Sequence, residues 1–189
     1  DFYEHDIPTD TSLGVLINVN KYYTLPDNFE PLEISDISIR YSYDGNKITK
    51  EANDAYVSMW NAAKNEGLTL IVNSSYRDLA TQERVYNNIK ASSGMKEADK
   101  VAARPGHSEH QTGNQATSTF KDSPAYSWLK NNAHLYGFIE RYPEEKEYLT
   151  GYSFESWHWR YVGKDVATQM YEENITFDEY YAYYIENQA

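Results

Sequence analysis

The segment Arg104-Pro-Gly-His-Ser-Glu-His-Gln-Thr-Gly-Asn-Gln-Ala-Thr-Ser-Thr119 holds two of the chain's five histidines in a non-repetitive stretch punctuated by glycine and proline. Further along, Glu155-Ser-Trp-His-Trp-Arg160 embeds a carboxylate and an imidazole among aromatic rings. Two remote segments of this kind are how a one-zinc hydrolase assembles its site. A histidine from each binds the metal, a third ligand completes the set, and a nearby glutamate handles the protons of the bound water. On this reading His110 and His158 are metal ligands and Glu155 is the base. A histidine between tryptophans is more often simply packed and hydrogen-bonded, but Glu155, three positions before His158, favours the ligand-and-base reading.

The run Gly106-His-Ser-Glu-His-Gln-Thr-Gly113, followed by Glu155-x-Trp-His158-x-Arg160, resembles the VanY-type D-alanyl-D-alanine carboxypeptidases of bacterial cell-wall metabolism. That family's pattern reads Ser-x-His-x-x-Gly-x-Ala-x-Asp and then Glu-x-x-His, with the first His, the Asp and the last His as zinc ligands. Ser108, His110, Gly113 and His158 match it. The alanine position holds Gln115 and the aspartate position holds Thr117. A one-residue slip that gives Ala116 the alanine position puts Ser118 at the aspartate position.

A neutral hydroxyl is a far weaker zinc ligand than a carboxylate and removes a negative charge from the ion's surroundings. Zinc is therefore expected to be weak or absent unless another residue compensates for Thr117. Asp122 lies five residues beyond, roughly 17 Å in an extended chain, and serves only if the chain folds back. Glu109, in an extended segment, faces away from His110.

Residues 68–74 read as a buried strand that delivers Ser75, Tyr76 and Arg77 at its end. An arginine there is by default a surface or structural residue. Ser74-Ser-Tyr-Arg77 with Gln82, however, is similar to the family's Ser-x-x-Arg and Gln elements, which hold the substrate's terminal carboxylate and the charge developing on the scissile carbonyl. The planar guanidinium suits both tasks. The resemblance thus implies Arg77 and Glu155 as catalytic residues, and Arg77, Gln82 and Ser108 as substrate-binding residues. His107, His134 and His5 are read as exposed.

Seventeen Lys and Arg against 29 Asp and Glu give a net charge of -12, which argues against a nucleic-acid partner. Nineteen tyrosines and four tryptophans suit either a groove for peptides or sugars or simply an aromatic core. Cysteine is absent, so disulfides and thiolate metal sites are excluded. No apolar run is long enough to form a membrane-spanning segment.

The length fits one domain, with residues 1–12 as an N-terminal arm and 13–189 as a carboxypeptidase-like domain. Residues 13–20 and 157–162 read as strands, and 138–143 as a strand running into a turn. Helices are expected over 48–66, from an Asp78 cap through 92, over 94–103, from Asp122-Ser-Pro124 to a Gly137 stop, and over 165–173 and 176–188, the last with a capping box at Thr176-Phe-Asp-Glu179. Irregular mixing of strands and helices gives an α+β class. The resemblance adds a small antiparallel sheet flanked by helices, of the DD-peptidase/hedgehog-like kind. It further implies a zinc-dependent enzyme that removes the C-terminal D-alanine of peptidoglycan stem peptides, extracellular or on a bacterial cell surface, with any signal or anchor upstream. Thr117 keeps open a second reading: a pseudoenzyme that binds cell-wall peptide or a protein partner.

Overall fold

A computed structural model describes Tyr3, residues 6–117 and residues 121–188, the side chains of Thr117 and Gln188 excepted. The sequence reading of His5 as exposed, and the alternative that places Ser118 at the aspartate position, fall outside these residues. In chain order the elements are strands β1 (Ile7–Pro8), β2 (Tyr23–Thr24), β3 (Ile34–Asp36) and β4 (Lys47–Thr49), and helices α1 (Lys50–Asn65), α2 (Leu79–Ser93) and α3 (Met95–Val101). Then follow β5 (Gln115–Thr117), α4 (Pro124–Asn132), β6 (Phe138–Glu140), α5 (Glu147–Thr150), β7 (His158–Tyr161), α6 (Lys164–Glu173) and α7 (Phe177–Tyr184). The central sheet is three-stranded and antiparallel, in the order β5-β7-β6. Two further pairs flank it: β1 with β2, parallel, and β3 with β4, antiparallel. The α+β architecture with a small sheet among helices is as expected.

Helix α1 forms because Ala52, Tyr56, Met59, Trp60 and Ala63 recur at helical spacing and lie buried along one side. They pack with Leu70, Val72, Trp128, Leu129, Phe138 and Trp159 into the main core. Trp60 also donates its indole N–H to the Leu70 carbonyl at 2.9 Å, so its polar tip is satisfied inside that core. Helix α2 starts at the expected cap, where Asp78 accepts from the Thr81 amide at 2.7 Å. Helix α4 is capped by Ser123 rather than Asp122, and its last turn tightens into a 3-10 segment, Ala133–Tyr136, that stops at left-handed Gly137. The capping box at Thr176 and Glu179 opens α7 with both reciprocal bonds made.

Two expected strands are absent. Residues 68–74 contain the wholly buried Leu70 and Val72, but their backbone forms isolated bridges, Val72 to Ser42 and a second at Ser74, rather than a strand. Apolar content predicts burial there and cannot supply a pairing partner. Residues 13–20 begin instead as a 3-10 turn, Thr11–Leu16, which Asp10 starts by accepting from Ser12 and which Gly14 interrupts with φ +58°. Ile17 and Val19 then drop into a small separate cluster with Leu25.

Candidate functional site

The motif is shaped by one turn. Ser108 caps a 3-10 helix, Glu109–Thr112, which ends at Gly113 in the left-handed region. A Cβ at Gly113 would come within 2.6 Å of the Ile34 methyl, so position 113 requires glycine for both its backbone and the space beside it. The chain then enters β5, whose register sets Gln115 opposite Arg160 and Thr117 opposite His158. Position 117 thus lies beside the second histidine, which supports its alignment with the aspartate of the family pattern; the Thr117 side chain is outside the described set.

Residues 74–77 reach the motif through the backbone, the Arg77 amide donating to the His110 carbonyl at 3.0 Å. The Arg77 guanidinium donates to Ser74 Oγ at 2.9 Å and to Gln82 Oε1 at 3.4 Å. Gln82 is held in turn by donating to the Ala103 carbonyl at 2.8 Å. Ser74, Arg77, Gln82, Ser108, His110, Glu155 and His158 all line one cleft of about 310 Å³, with Trp157 half-exposed among them. Every candidate site residue with a described side chain is therefore brought together. That volume is at the lower end for small-molecule sites.

The two imidazoles face each other edge to face, with ring centroids 5.6 Å apart. His110 Nδ1 lies 2.6 Å from the Ser75 carbonyl oxygen. His158 Nδ1 is 3.1 Å from Glu155 Oε2 and its Nε2 is 3.6 Å from Glu109 Oε2. These surroundings split their protonation. Burial, then Arg77 and His158, hold His110 well below the ordinary imidazole value. Burial pushes His158 down too, but Glu109 and Glu155 outweigh it and its pKa is raised.

Glu109 is the residue that sequence reasoning misplaced. The segment is helical rather than extended, so the carboxylate turns inward and is wholly buried. It meets Arg141 Nε at 2.6 Å and Arg160 Nη1 at 2.9 Å. Arg141 is also paired with Asp178 at 2.6 Å. Burial alone would raise the Glu109 pKa, but Arg160 and Arg141, joined by His158, bring it far below the usual carboxylate range. A glutamate in a Gly-bounded turn, with arginines elsewhere in the chain and no matching exposed pattern, was the available signal. His107 is likewise buried rather than exposed, its Nδ1 2.8 Å from the Asn20 carbonyl and its ring edge-on to Tyr3. His134, read as exposed, is half-buried and stacked on Tyr171 with centroids 3.7 Å apart.

A zinc site needs three protein ligands and an open position. His110 and His158 supply two, and the position opposite His158 carries a neutral hydroxyl residue. Among the described residues no group of three His, Cys, Asp or Glu side chains is placed to hold a metal ion. The donor set does not fit zinc in the family's manner. What the cleft does offer is a guanidinium and a hydroxyl beside an imidazole whose pKa is raised, a combination suited to a carboxylate.

A family model for VanY, D-alanyl-D-alanine carboxypeptidase, matches residues 45–164. YodJ of Bacillus subtilis is 37% identical over 183 residues, which cover 89% of this chain and 67% of that protein. The chain thus spans about two thirds of this relative's length. Among solved structures, the LdcB LD-carboxypeptidase, described for the molecular basis of peptidoglycan recognition, superposes with a TM-score of 0.86 at 35% identity, covering 93% of this chain and 89% of that one. VanYB in complex with D-alanine-D-alanine gives a TM-score of 0.80 at 30% identity, covering 90% of this chain and 98% of that one. A VanY variant solved with Zn(II) gives 0.78 at 30% identity, covering 88% of this chain and 98% of that one, so zinc is bound within the family. The sequence motifs, the shared fold and the matched span together show that this chain belongs to the VanY family of D-alanyl-D-alanine carboxypeptidases.

Proposed function

We propose that this chain recognises the carboxylate-bearing C-terminus of a peptidoglycan stem peptide, on a carboxypeptidase scaffold whose metal-binding set is incomplete, with residues 13–189 as the binding domain. One observation carries the reading. Arg77, tethered through Ser74 and Gln82, shares a cleft with His158, whose imidazole is held toward its cationic form. The Arg77 guanidinium beside Ser108 can neutralise and orient a terminal carboxylate. Family relatives solved with D-alanine-D-alanine, or described for peptidoglycan recognition, support the class of ligand. Peptidoglycan lies outside the bacterial membrane, so the reading implies action at the cell surface. No helix among the described residues is long and apolar enough to cross a membrane.

Calorimetry in chelator tests this with a stem pentapeptide ending in D-Ala-D-Ala, a tetrapeptide ending in one D-Ala, and the C-terminal amide of each. Binding of a free acid that weakens about tenfold or more on amidation, and equally on Arg77→Ala, is expected for a lost charge-assisted contact. Equal binding of acid and amide would overturn it.

A second reading, hydrolysis, is favoured by Glu155 lying 3.1 Å from His158 Nδ1, where a general base would stand. Release of D-alanine by zinc-supplemented protein, abolished by Glu155→Ala, would establish it. No release, with Glu155→Ala indistinguishable, would leave recognition alone.

A further inference from the structure

We infer that two positions on one strand, not Thr117 alone, weaken zinc binding in this site, and that Gln115 is the second. The inference rests on the recognition reading in that it explains how the same cleft comes to work without a metal. Gln115 is wholly buried on β5. Positions 115 and 117 share a face of the strand, opposite Arg160 and His158. The Gln115 amide nitrogen is 2.8 Å from the Ser75 carbonyl oxygen and presses against His110 Nδ1. His110 Nδ1 is itself 2.6 Å from that same oxygen. One carbonyl therefore faces two crowded donors. Turning the amide over places Oε1 against the Ser75 oxygen, so that two acceptors meet. As the amide stands, its buried Oε1 has no partner among the described residues.

An imidazole that gives its Nε2 lone pair to a metal keeps its Nδ1 proton on a fixed acceptor, and that acceptor sets the tautomer and the ring direction. Gln115 contests the acceptor. If its N–H donates to Nδ1 instead, the ring proton moves to Nε2, on the side a metal would need. In the second arrangement His110 is a poorer ligand, and in the first it shares an acceptor of which Gln115 takes one lone pair. Losing an outer partner of a metal-bound histidine weakens metal affinity by about 10–100-fold.

The test is a zinc titration by calorimetry on four proteins: the wild type, Gln115→Ala, Thr117→Asp and the double variant, with circular dichroism to establish folding. The double variant is expected to bind zinc at least about tenfold tighter than Thr117→Asp alone. Equal affinity of those two, or tight zinc binding by the wild type, would overturn the inference; so would a double variant that binds none. Should Gln115→Ala fail to fold, Gln115→Ser serves the same comparison. Side-chain ¹⁵N–¹H correlation spectra of metal-free protein give a readout that packing alone would not move: Gln115→Ala should leave His110 in a single Nδ1–H tautomer, and an unchanged His110 pattern counts against the inference. The zinc titration uses no peptide and the peptide calorimetry uses no metal, so either reading can fail without the other.

Discussion

Glu109→Gln removes one negative charge and little else from the middle of the buried network, and the structure sets the size of the effect. Glu109, Arg141 and Arg160 have wholly buried side chains. Arg141 keeps Asp178 as a counter-charge at 2.6 Å. Among the described residues Arg160 has no second carboxylate; its other bonds are to the carbonyls of Val15, Ile17 and Tyr161. The variant thus leaves one guanidinium buried without charge compensation, a loss that costs about 3–5 kcal/mol when one partner of a buried pair is removed. For a domain of this size that is roughly 6–20 °C in melting temperature. Urea denaturation at pH 7 measures it. The dependence on pH follows from the depressed Glu109 pKa. A lowered folded value contributes stability that is present above the unfolded value of about 4.3 and is lost as pH falls through the folded value. Glu109 also supports the protonated form of His158, so the gap between wild type and variant changes as that imidazole titrates near neutrality, and it closes in acid as Glu109 itself is protonated. A gap within about 1 kcal/mol at pH 7, or one that fails to close once Glu109 is protonated in acid, would refute the reasoning, since buried-pair energetics require a larger effect that vanishes with the carboxylate's charge.

Two more predictions follow from the same geometry. Gly113→Ala should destabilise by about 1–3 kcal/mol, because a Cβ meets Ile34 at 2.6 Å in a left-handed backbone; a loss under about 0.5 kcal/mol in urea would mean the turn can reshape. In an NMR titration of metal-free protein, His158 should titrate above the ordinary imidazole value of about 6.5 and His110 far below it. The raised value of His158 contributes stability below the unfolded pKa that is lost as pH rises through the folded one; the opposite order of the two histidines would overturn the assignment of their partners.

The helices were legible because their signals are local. The spacing of Ala52, Tyr56, Met59, Trp60 and Ala63, the Asp78 cap and the Thr176–Glu179 box each specify an element within a few residues. Strands were less so. Residues 68–74 are more apolar than β7, yet β7 has partners on both sides and 68–74 has isolated bridges at Val72 and Ser74. Pairing is a property of distant segments, invisible in either one. The candidate site was legible through residue types and order, which brought Arg77, Gln82, Ser108, His110, Glu155 and His158 to one cleft. Its supports were not. Glu109 was misread because an extended chain was assumed where a 3-10 turn reverses the side-chain directions.

That misreading bears on what the presence of a histidine means here. His158 between a carboxylate and a packed aromatic ring is accounted for by the fold: it faces Glu109 at 3.6 Å and Tyr142 edge-on at 4.8 Å. The imidazole is therefore no evidence by itself of chemistry. Glu155 is different. It is partly exposed, its described carboxylate contact is with His158, and it takes no part in the buried network. Besides raising the His158 pKa, it lines the cleft. The case for hydrolysis thus rests on Glu155 and not on the pair, while the case for recognition rests on Arg77, whose tethering through Ser74 and Gln82 holds a cation at the cleft whether or not a metal is ever bound.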